Sequence, residues 1–215
     1  MIPLSDASRH PAHFPIATAT IIALNAMVFV LELAGGEDSV LQWALVPADI
    51  VTGHHLITIL TSMFMHASWS HILGNMVFLW AFGPEIEDAM SPSRYAIFYL
   101  LGGLVAMLAQ IAASPASTVP CLGASGAIAA VMGAFPVTFP HDNIRTLLFF
   151  GIFVRITAVP AVLLIGLWFV VQLLSLGSVA DVQTGGVAYM AHIAGMVFGA
   201  VTARLFEPSG RLATR

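Results

Sequence analysis

Two side chains in separate apolar segments have the chemistry of a nucleophile and a base. Ser125 lies in Gly123-Ala124-Ser125-Gly126, at the start of an uncharged stretch that runs to Pro140. His192 is the single histidine of a second apolar stretch, in Ala191-His192-Ile193-Ala194-Gly195. Polar side chains are costly inside a bilayer, so their presence there is by default a functional signal. The pair suits a serine hydrolase in which His192 takes the Ser125 proton and returns it to a leaving amine.

A third apolar segment supplies two hydrogen-bond donors, His71 and Asn75. They are spaced i,i+4 and therefore share one face of a helix. A helix that begins at Ser125 would also present unpaired N–H groups to a developing negative charge. Gly123 and Gly126 would let the backbone and a substrate approach closely. We predict a Ser125–His192 dyad with His71 and Asn75 at the oxyanion, and Asp181 in the last loop is the one acid that could orient the base.

Each of these patterns also has a purely structural explanation. Gly-Ala-Ser-Gly begins a strip of small residues that would let two helices pack closely, and Gly195 and Gly199 form a GxxxG pair. Asn75 could form a hydrogen bond between helices. A single histidine in a membrane helix is as often a structural hydrogen-bonding group as a catalytic base. Catalysis is favoured because the second, fourth and sixth apolar segments each carry these residues within the first two turns. The predicted topology therefore brings them to a similar depth.

Other intramembrane chemistries fit the sequence poorly. An aspartyl mechanism needs two carboxylates within membrane helices, whereas every Asp and Glu is expected in a loop or at the end of a span. The His-Glu-x-x-His motif of zinc proteases is absent, and His66 and His71 have no acidic ligand nearby. A serine–lysine dyad is impossible because the chain has no lysine.

The composition is that of a multi-pass membrane protein. Hydrophobic residues make up 59% of the 215, charged residues 8%, and the mean hydropathy is +0.93, whereas a soluble domain has about a quarter of its residues charged. The single Cys121 excludes an internal disulfide. A spanning helix needs about 20 mostly apolar residues. Six segments meet or approach this length: 14–34, 69–84, 95–113, 123–139, 157–177 and 187–203.

The arginines predict how the chain is oriented. With six spans, all seven arginines fall on the side that also holds both termini, so the positive-inside rule makes that side cytoplasmic. We expect residues 1–13 and 204–215 to be disordered cytoplasmic tails. We also expect the connection 35–68 to lie partly in the outer leaflet and the stretch from Thr146 to Val154 to approach the fifth helix along the interface. A bacterial inner membrane is the expected location.

Three motifs together resemble the rhomboid family of intramembrane serine proteases. His66-Ala67-Ser68-Trp69-Ser70-His71-Ile72-Leu73-Gly74-Asn75 resembles its H-x4-H-x3-N signature, and the segments around Ser125 and His192 resemble its G-x-S-G and A-H-x-x-G motifs. The similarity covers residues 14–203. It implies an all-α membrane protein with a six-transmembrane-helix rhomboid core bundle, which cleaves transmembrane segments of other proteins near the outer face.

The resemblance also implies a role for each residue of the motifs. Ser125 is the nucleophile and His192 the base. The Ser125 amide, His71 and Asn75 form the oxyanion site, and His66 braces the first loop. No cofactor, metal or nucleic acid is implied; the partners are transmembrane protein substrates and the lipid bilayer.

Two positions depart from the pattern of the rhomboid family. Many members carry Trp-Arg in the first loop where this chain has Ile57-Thr58, and some carry a tyrosine, stacked on the base, where this chain has Ala129. We therefore expect the first loop and His192 to be held by other contacts. A weaker hypothesis assigns Trp168 and Phe169 of the fifth helix to a lateral gate for substrate.

Two other functions remain open from the sequence. A catalytically inactive rhomboid-like protein would bind or escort membrane clients, but such proteins usually lose the serine or the histidine. A small transporter would use a water-filled cavity between the helices. Many transporters are built from internal repeats, and the chain shows none.

Overall fold

Six long helices and a small sheet make up the protein, in a computed structural model that describes residues 1–151, 153–178 and 188–208. The long helices have between 14 and 28 residues, and two short helices and a 3-10 turn (Ser62–Phe64) lie in the first loop. In chain order the helices are α1 Ile16–Trp43, α2 Pro47–Val51, α3 Thr58–Thr61, α4 Trp69–Met90, α5 Pro92–Ala113, α6 Ser125–Thr138, α7 Ala161–Ser178 and α8 Tyr189–Phe206.

The long helices correspond to the six predicted spans, although their lengths differ. Within the described residues, three are long and apolar enough to cross a membrane by themselves, namely the Ile16–Asp38 part of α1, α5 and α8. Helix α6 and the Ala161–Leu176 part of α7 are apolar but shorter. Helix α4 continues past the predicted end at 84 through Pro84, Glu85 and Glu87 to Met90. The number of spans therefore stays a prediction, while the mostly helical membrane architecture agrees with the sequence.

Helix α6 is the centre of the bundle. Nearly all its side chains are buried, and it packs against α4, α5 and most extensively α8. Small residues make this possible, because a Cβ placed on Gly199 of α8 would overlap the carbonyl oxygen of Ala130 on α6. A Cβ on Gly133 of α6 would likewise overlap the carbonyl oxygen of Met196. The predicted small-residue strip is therefore a backbone-to-backbone packing seam between the helices that carry Ser125 and His192.

The prediction of an all-α chain is wrong at one end of the bundle, where three antiparallel strands form a sheet in the order β1-β2-β3. Strand β1 is Ile2–Asp6, β2 is Asn143–Phe150 and β3 is Phe153–Pro160. Strand β1 pairs with β2 from Ile2 opposite Leu147 to Asp6 opposite Ile144. The N-terminal tail is therefore partly a strand. The described residues of the stretch 146–154 belong to a hairpin, and their approach along the membrane interface stays a prediction.

The sheet explains where the fifth helix begins. We predicted a start at residue 157, but Thr157 and Val159 pair with Thr146 and Ile144 in the hairpin, and α7 starts after Pro160. β-Branched residues favour strands, and the fixed backbone of proline suits the entry to a helix. At the other terminus, 204–206 belong to α8, whereas the rest of the predicted tail beyond 208 lies outside the described residues.

Candidate active site

Ser125 is the first residue of α6, so the free N–H groups of the first turn surround its side chain. The preceding Gly123 has a φ of +133°, a conformation that L side chains rarely adopt. Its N–H donates to the carbonyl oxygen of Ser62 (2.8 Å), which ties the start of α6 to the first loop. Ser125 itself is half-buried. The local backbone thus presents a hydroxyl beside several N–H donors.

The structure brings Ser125 and His192 to hydrogen-bonding distance, with 2.7 Å between Oγ and Nε2. His192 lies in the first turn of α8 and is buried. The approach depends on glycine, because a Cβ on Gly195 would overlap the carbonyl oxygen of Gly126. Helices α6 and α8 therefore meet at backbone contact next to Ser125 and about one turn from His192, which fixes the separation of the two side chains.

The other ring nitrogen of His192 contacts a residue that the sequence reasoning missed. Nδ1 lies 2.8 Å from Oε1 of Gln172, a buried amide on α7. The ring of Trp168, one turn earlier on α7, lies with its centroid 5.4 Å from that of His192. A signal was available in the sequence, since Gln172 is a lone amide in an otherwise apolar segment. Asp181, the acid considered as an orienter, lies outside the described residues.

His71 also lies beside the Ser125 loop. A Cβ built on Gly123 would lie 2.9 Å from Cε1 and 3.0 Å from Nε2 of the His71 ring, and 3.6 Å from Ser125 Oγ. The ring is carried by the first turn of α4, where Ser68 caps the helix by accepting the backbone N–H of His71 (3.2 Å). Glycine at position 123 therefore leaves the space that the His71 ring and the serine share.

Asn75 and His66 form a second buried pair on the same side of α4. Asn75 Nδ2 lies 2.9 Å from His66 Nε2, and because the amide nitrogen can only donate, the imidazole nitrogen accepts. Burial, followed by the neighbouring charge of His71, lowers the pKa of His66 to about 4, so this ring is neutral near pH 7. One N–H of the Asn75 amide therefore remains for a further acceptor.

The first loop is anchored by a carboxylate that sequence reasoning did not single out. Glu32 of α1 accepts the backbone N–H of His66 at 3.2 and 3.1 Å from its two oxygens. Thr61 adds a bond from its hydroxyl to the carbonyl oxygen of Trp43 (2.9 Å). At the positions that depart from the family pattern, Thr58 begins α3 and is buried, and Ala129 is buried against Gly195. These contacts hold the loop in a chain that lacks Trp-Arg.

Comparison with known proteins gives the family to which the chain belongs. The Rhomboid domain model matches residues 53–208, well over half of the chain. Rhomboid protein 1, mitochondrial, of Saccharomyces cerevisiae is 28% identical over 92% of this chain and 54% of its own length. Rhomboid protease GluP of Bacillus subtilis is 29% identical over 56% of this chain and 24% of its own length.

A smaller relative is covered more fully. The putative rhomboid protease YdcA of Bacillus subtilis is 29% identical over 61% of this chain and 67% of its own length. The chain thus spans about half of the yeast protein and a quarter of GluP. The match to the domain model extends from the first loop, which ends in His66, through the end of α8. On that match, this chain belongs to the rhomboid family.

Proposed function

We propose that the protein is an intramembrane serine endopeptidase that cleaves transmembrane segments of other membrane proteins through a Ser125–His192 dyad. The observation that carries the proposal is the 2.7 Å separation of Ser125 Oγ and His192 Nε2 across the α6–α8 seam. Membership of the rhomboid family, which includes named proteases, supports the reaction class. No cofactor or metal enters the proposed reaction.

The reaction proceeds by acyl transfer. The Ser125 oxygen attacks the scissile carbonyl carbon while its proton passes to His192, and a tetrahedral oxyanion forms. His192 then protonates the leaving amine nitrogen, the C–N bond breaks, and an acyl-serine remains. Water, deprotonated by His192, attacks the acyl carbon. The new acid is released and the serine hydroxyl is restored.

Four donors are proposed for the oxyanion. Two are the backbone N–H groups of Ser125 and Gly126 in the first turn of α6, and two are the side chains of His71 and Asn75. The His71 ring next to Gly123 and the remaining N–H of Asn75 support these roles. Such donors stabilise charge most where water is excluded. His66 is proposed to hold the Asn75 amide in place while Glu32 holds the loop.

Six spans with both termini in the cytoplasm are proposed for the chain in its membrane, here a bacterial inner membrane. The starts of α4, α6 and α8 would then face outward. Within the described residues, the arginines 9, 94, 145, 155 and 204 all lie at or beyond the opposite helix ends, which supports this orientation. Helix α6, with 14 residues, is about 21 Å long. That is shorter than the roughly 30 Å hydrocarbon layer, so Ser125 would lie below the outer surface.

Covalent labelling by a fluorophosphonate probe tests the proposal. We expect wild-type protein to be labelled, whereas Ser125→Ala and His192→Ala remain unlabelled. Ser175→Ala on α7 is the matched control, because it removes another membrane serine without touching the dyad. Failure of the folded wild type to react would overturn the protease proposal and favour the inactive, client-binding alternative. Unlabelled wild-type protein is then tested for cleavage of a transmembrane substrate in proteoliposomes, with probe-treated protein as the inactivated control.

A further inference from the structure

Gln172 occupies the buried stripe of α7 where an apolar side chain would be expected. The stripe runs through Ala161, Leu164, Ile165, Trp168 and Gln172, spaced three or four residues apart, and the first three are fully or largely buried apolar groups. Gln172 is buried as well. A buried amide costs free energy unless its hydrogen-bonding groups are satisfied. We therefore expect the Gln172 amide to have hydrogen-bond partners inside the protein.

Two contacts fix which way the amide of Gln172 points. Its Nε2 donates to the carbonyl oxygen of Trp168 one turn earlier on α7 (3.3 Å). Its Oε1 consequently faces His192 Nδ1 at 2.8 Å. An amide oxygen only accepts, so Nδ1 must carry the proton. In a neutral imidazole the proton on Nδ1 leaves a lone pair on Nε2, which is the atom that faces the Ser125 hydroxyl. This is the tautomer that a general base needs.

We propose that Gln172 is a positioning residue that holds His192 in the base tautomer, and that the dyad is competent only while α7 is seated on α8. The proposal rests on the proposed function and deepens it. Both contacts that orient the ring, the amide of Gln172 and the indole of Trp168, come from α7. The base therefore keeps its orientation only while these two side chains of α7 stay in contact with the ring.

This arrangement replaces the aromatic stack that Ala129 cannot provide. Ala129 has no ring to lay against His192, whereas Trp168 contacts the ring from α7. Within the described residues, His71 of α4 is the titratable side chain beside the dyad, next to Gly123 and Ser125. The groups in direct contact with the ring, Ser125, Gln172 and Trp168, are uncharged. Among the residues that the structure describes, a neutral hydrogen bond and not a buried carboxylate therefore orients the base.

Substitutions at Gln172 test the role through labelling rates. Gln172→Met keeps the unbranched shape and removes the acceptor, and we expect fluorophosphonate labelling to slow by roughly 10- to 100-fold, less than the about 10⁴-fold loss when a serine protease loses its charged orienter. Gln172→Glu restores an acceptor. It should recover most of the rate and move the acid limb of the pH–rate profile to higher pH, because a carboxylate favours the charged imidazole. A purely structural role predicts that Gln172→Glu is labelled as slowly as Gln172→Met.

Gln110→Met is the matched control. Gln110 of α5 also touches α8, through the backbone N–H of Ala191 at 3.4 Å, but it does not contact the His192 ring. We expect its labelling rate to stay within about threefold of wild type and its pH profile to be unchanged, since its hydrogen bond is to the backbone of α8 and does not set the tautomer of His192. An equal loss of rate in both variants would show that any glutamine touching α8 matters, and would overturn the positioning role.

A spectroscopic measurement separates this inference from the protease proposal. The ¹⁵N shifts of His192, assigned by difference from His192→Gln in ¹⁵N-histidine-labelled protein, report which ring nitrogen carries the proton. We expect the Nδ1–H tautomer to dominate in wild type and in Ser125→Ala, and a mixture of tautomers in Gln172→Met. The same tautomer population with and without the Gln172 amide would refute the inference. This readout decides the matter even if the wild type does not react with the probe.

Discussion

The two ends of the helical bundle are held by different chemistry. At the Ser125 end, the hydrogen bonds between side chains join neutral groups, from Ser125 to His192 to Gln172 and from Asn75 to His66, and the Glu32 carboxylate bonds only to the backbone of His66. At the sheet end, charged groups meet. Arg9 forms an ion pair with Asp142 and stacks over a ring, while Arg204 pairs with Glu207 and also donates to the carbonyl oxygen of Val137.

The difference indicates at which end side chains can be substituted without loss of activity. Neutral hydrogen bonds at the Ser125 end set the position of single protons, so removal of one group there should change a rate. Ion pairs at the sheet end are partly exposed, with 42% of the Arg9 side chain accessible, and such pairs contribute modestly to stability. We therefore expect substitutions at the sheet end to alter stability and leave the rate constant of the dyad unchanged.

The largest effect should come from the seam that connects the two ends. Gly199→Val puts a side chain where α8 touches the backbone of α6 at Ala130, and a backbone cannot yield as a flexible side chain does. We expect labelling to be abolished and the apparent melting temperature to fall by more than 10 °C, or folded protein to be lost. Gly166→Val on α7 is the matched control, since a Cβ there meets nothing within 4 Å. Equal stability of the two variants would contradict the packing seam.

The next largest effect should follow from loss of the oxyanion donors. His71→Ala and Asn75→Ala should each slow turnover by roughly 10²- to 10³-fold, as is usual when one such donor is removed. Binding of substrate should change little. The control is His54→Ala, an exposed histidine of the first loop that bonds only locally to Thr52. Steady-state cleavage in proteoliposomes gives kcat and KM separately. A wild-type kcat in His71→Ala would show that the His71 ring does not donate to the oxyanion.

The contrast between the ends also separates what the sequence could reveal from what it could not. Polar residues in apolar segments stand out one by one, so Ser125, His192, His71 and Asn75 could be singled out without a structure. The alternating direction of the helices was enough to predict that these residues lie at helix ends on the same side of the membrane. The same argument applies to Gln172, a lone amide in an apolar segment, although an amide does not by itself indicate a catalytic role. The contact to Nδ1 needs the rotation of α7 about its axis, which periodicity does not give.

The sheet could not be predicted in this way. Strand β1 pairs with β2 across about 140 residues of chain. A hairpin can be recognised in a sequence by its turn, whereas a pairing between distant segments has no such local signal. An apolar run such as Thr146 to Val154 fits a strand or an interfacial segment equally well by periodicity. Length and the β-branched residues of β3 were the better guide there. Packing of the first residues under the bundle, with Ile144 and Thr146 buried beside them, decides the structure.

A smaller effect sharpens the assignment of α7. The gate hypothesis predicts that Trp168→Ala and Phe169→Ala both speed cleavage of a membrane substrate. Contact of the Trp168 ring with His192 adds a cost for Trp168→Ala alone, about 2- to 10-fold in probe labelling if an aromatic contact contributes about 0.5 to 1.5 kcal/mol. Phe169→Ala should leave labelling by the small probe unchanged while cleavage quickens. Equal labelling rates of the two variants would show that the Trp168 indole does not help to orient His192.

The smallest effect belongs to the sheet end and concerns stability alone. Burial, together with the nearby Asp142 carboxylate, raises the pKa of Asp6 from 3.8 to about 6, against the N–H bonds from Ser8 and Arg9. The folded state therefore binds more protons than the unfolded state between pH 4 and pH 6. The contribution of Asp6 to stability is fully present below pH 4 and is lost as the pH rises through 6.

Asp6→Asn should remove this loss. The amide keeps an oxygen for the N–H groups of Ser8 and Arg9 and can donate to Asp142 without titrating. After allowance for solvent screening, we expect the free energy of unfolding to rise by on the order of 1 kcal/mol at pH 7 and to match wild type near pH 4. Labelling of Ser125 should be unchanged at both values, because α6, about 21 Å long, lies between the two ends. A parallel change in labelling would mean that the ends are coupled and that their chemistry is not separable.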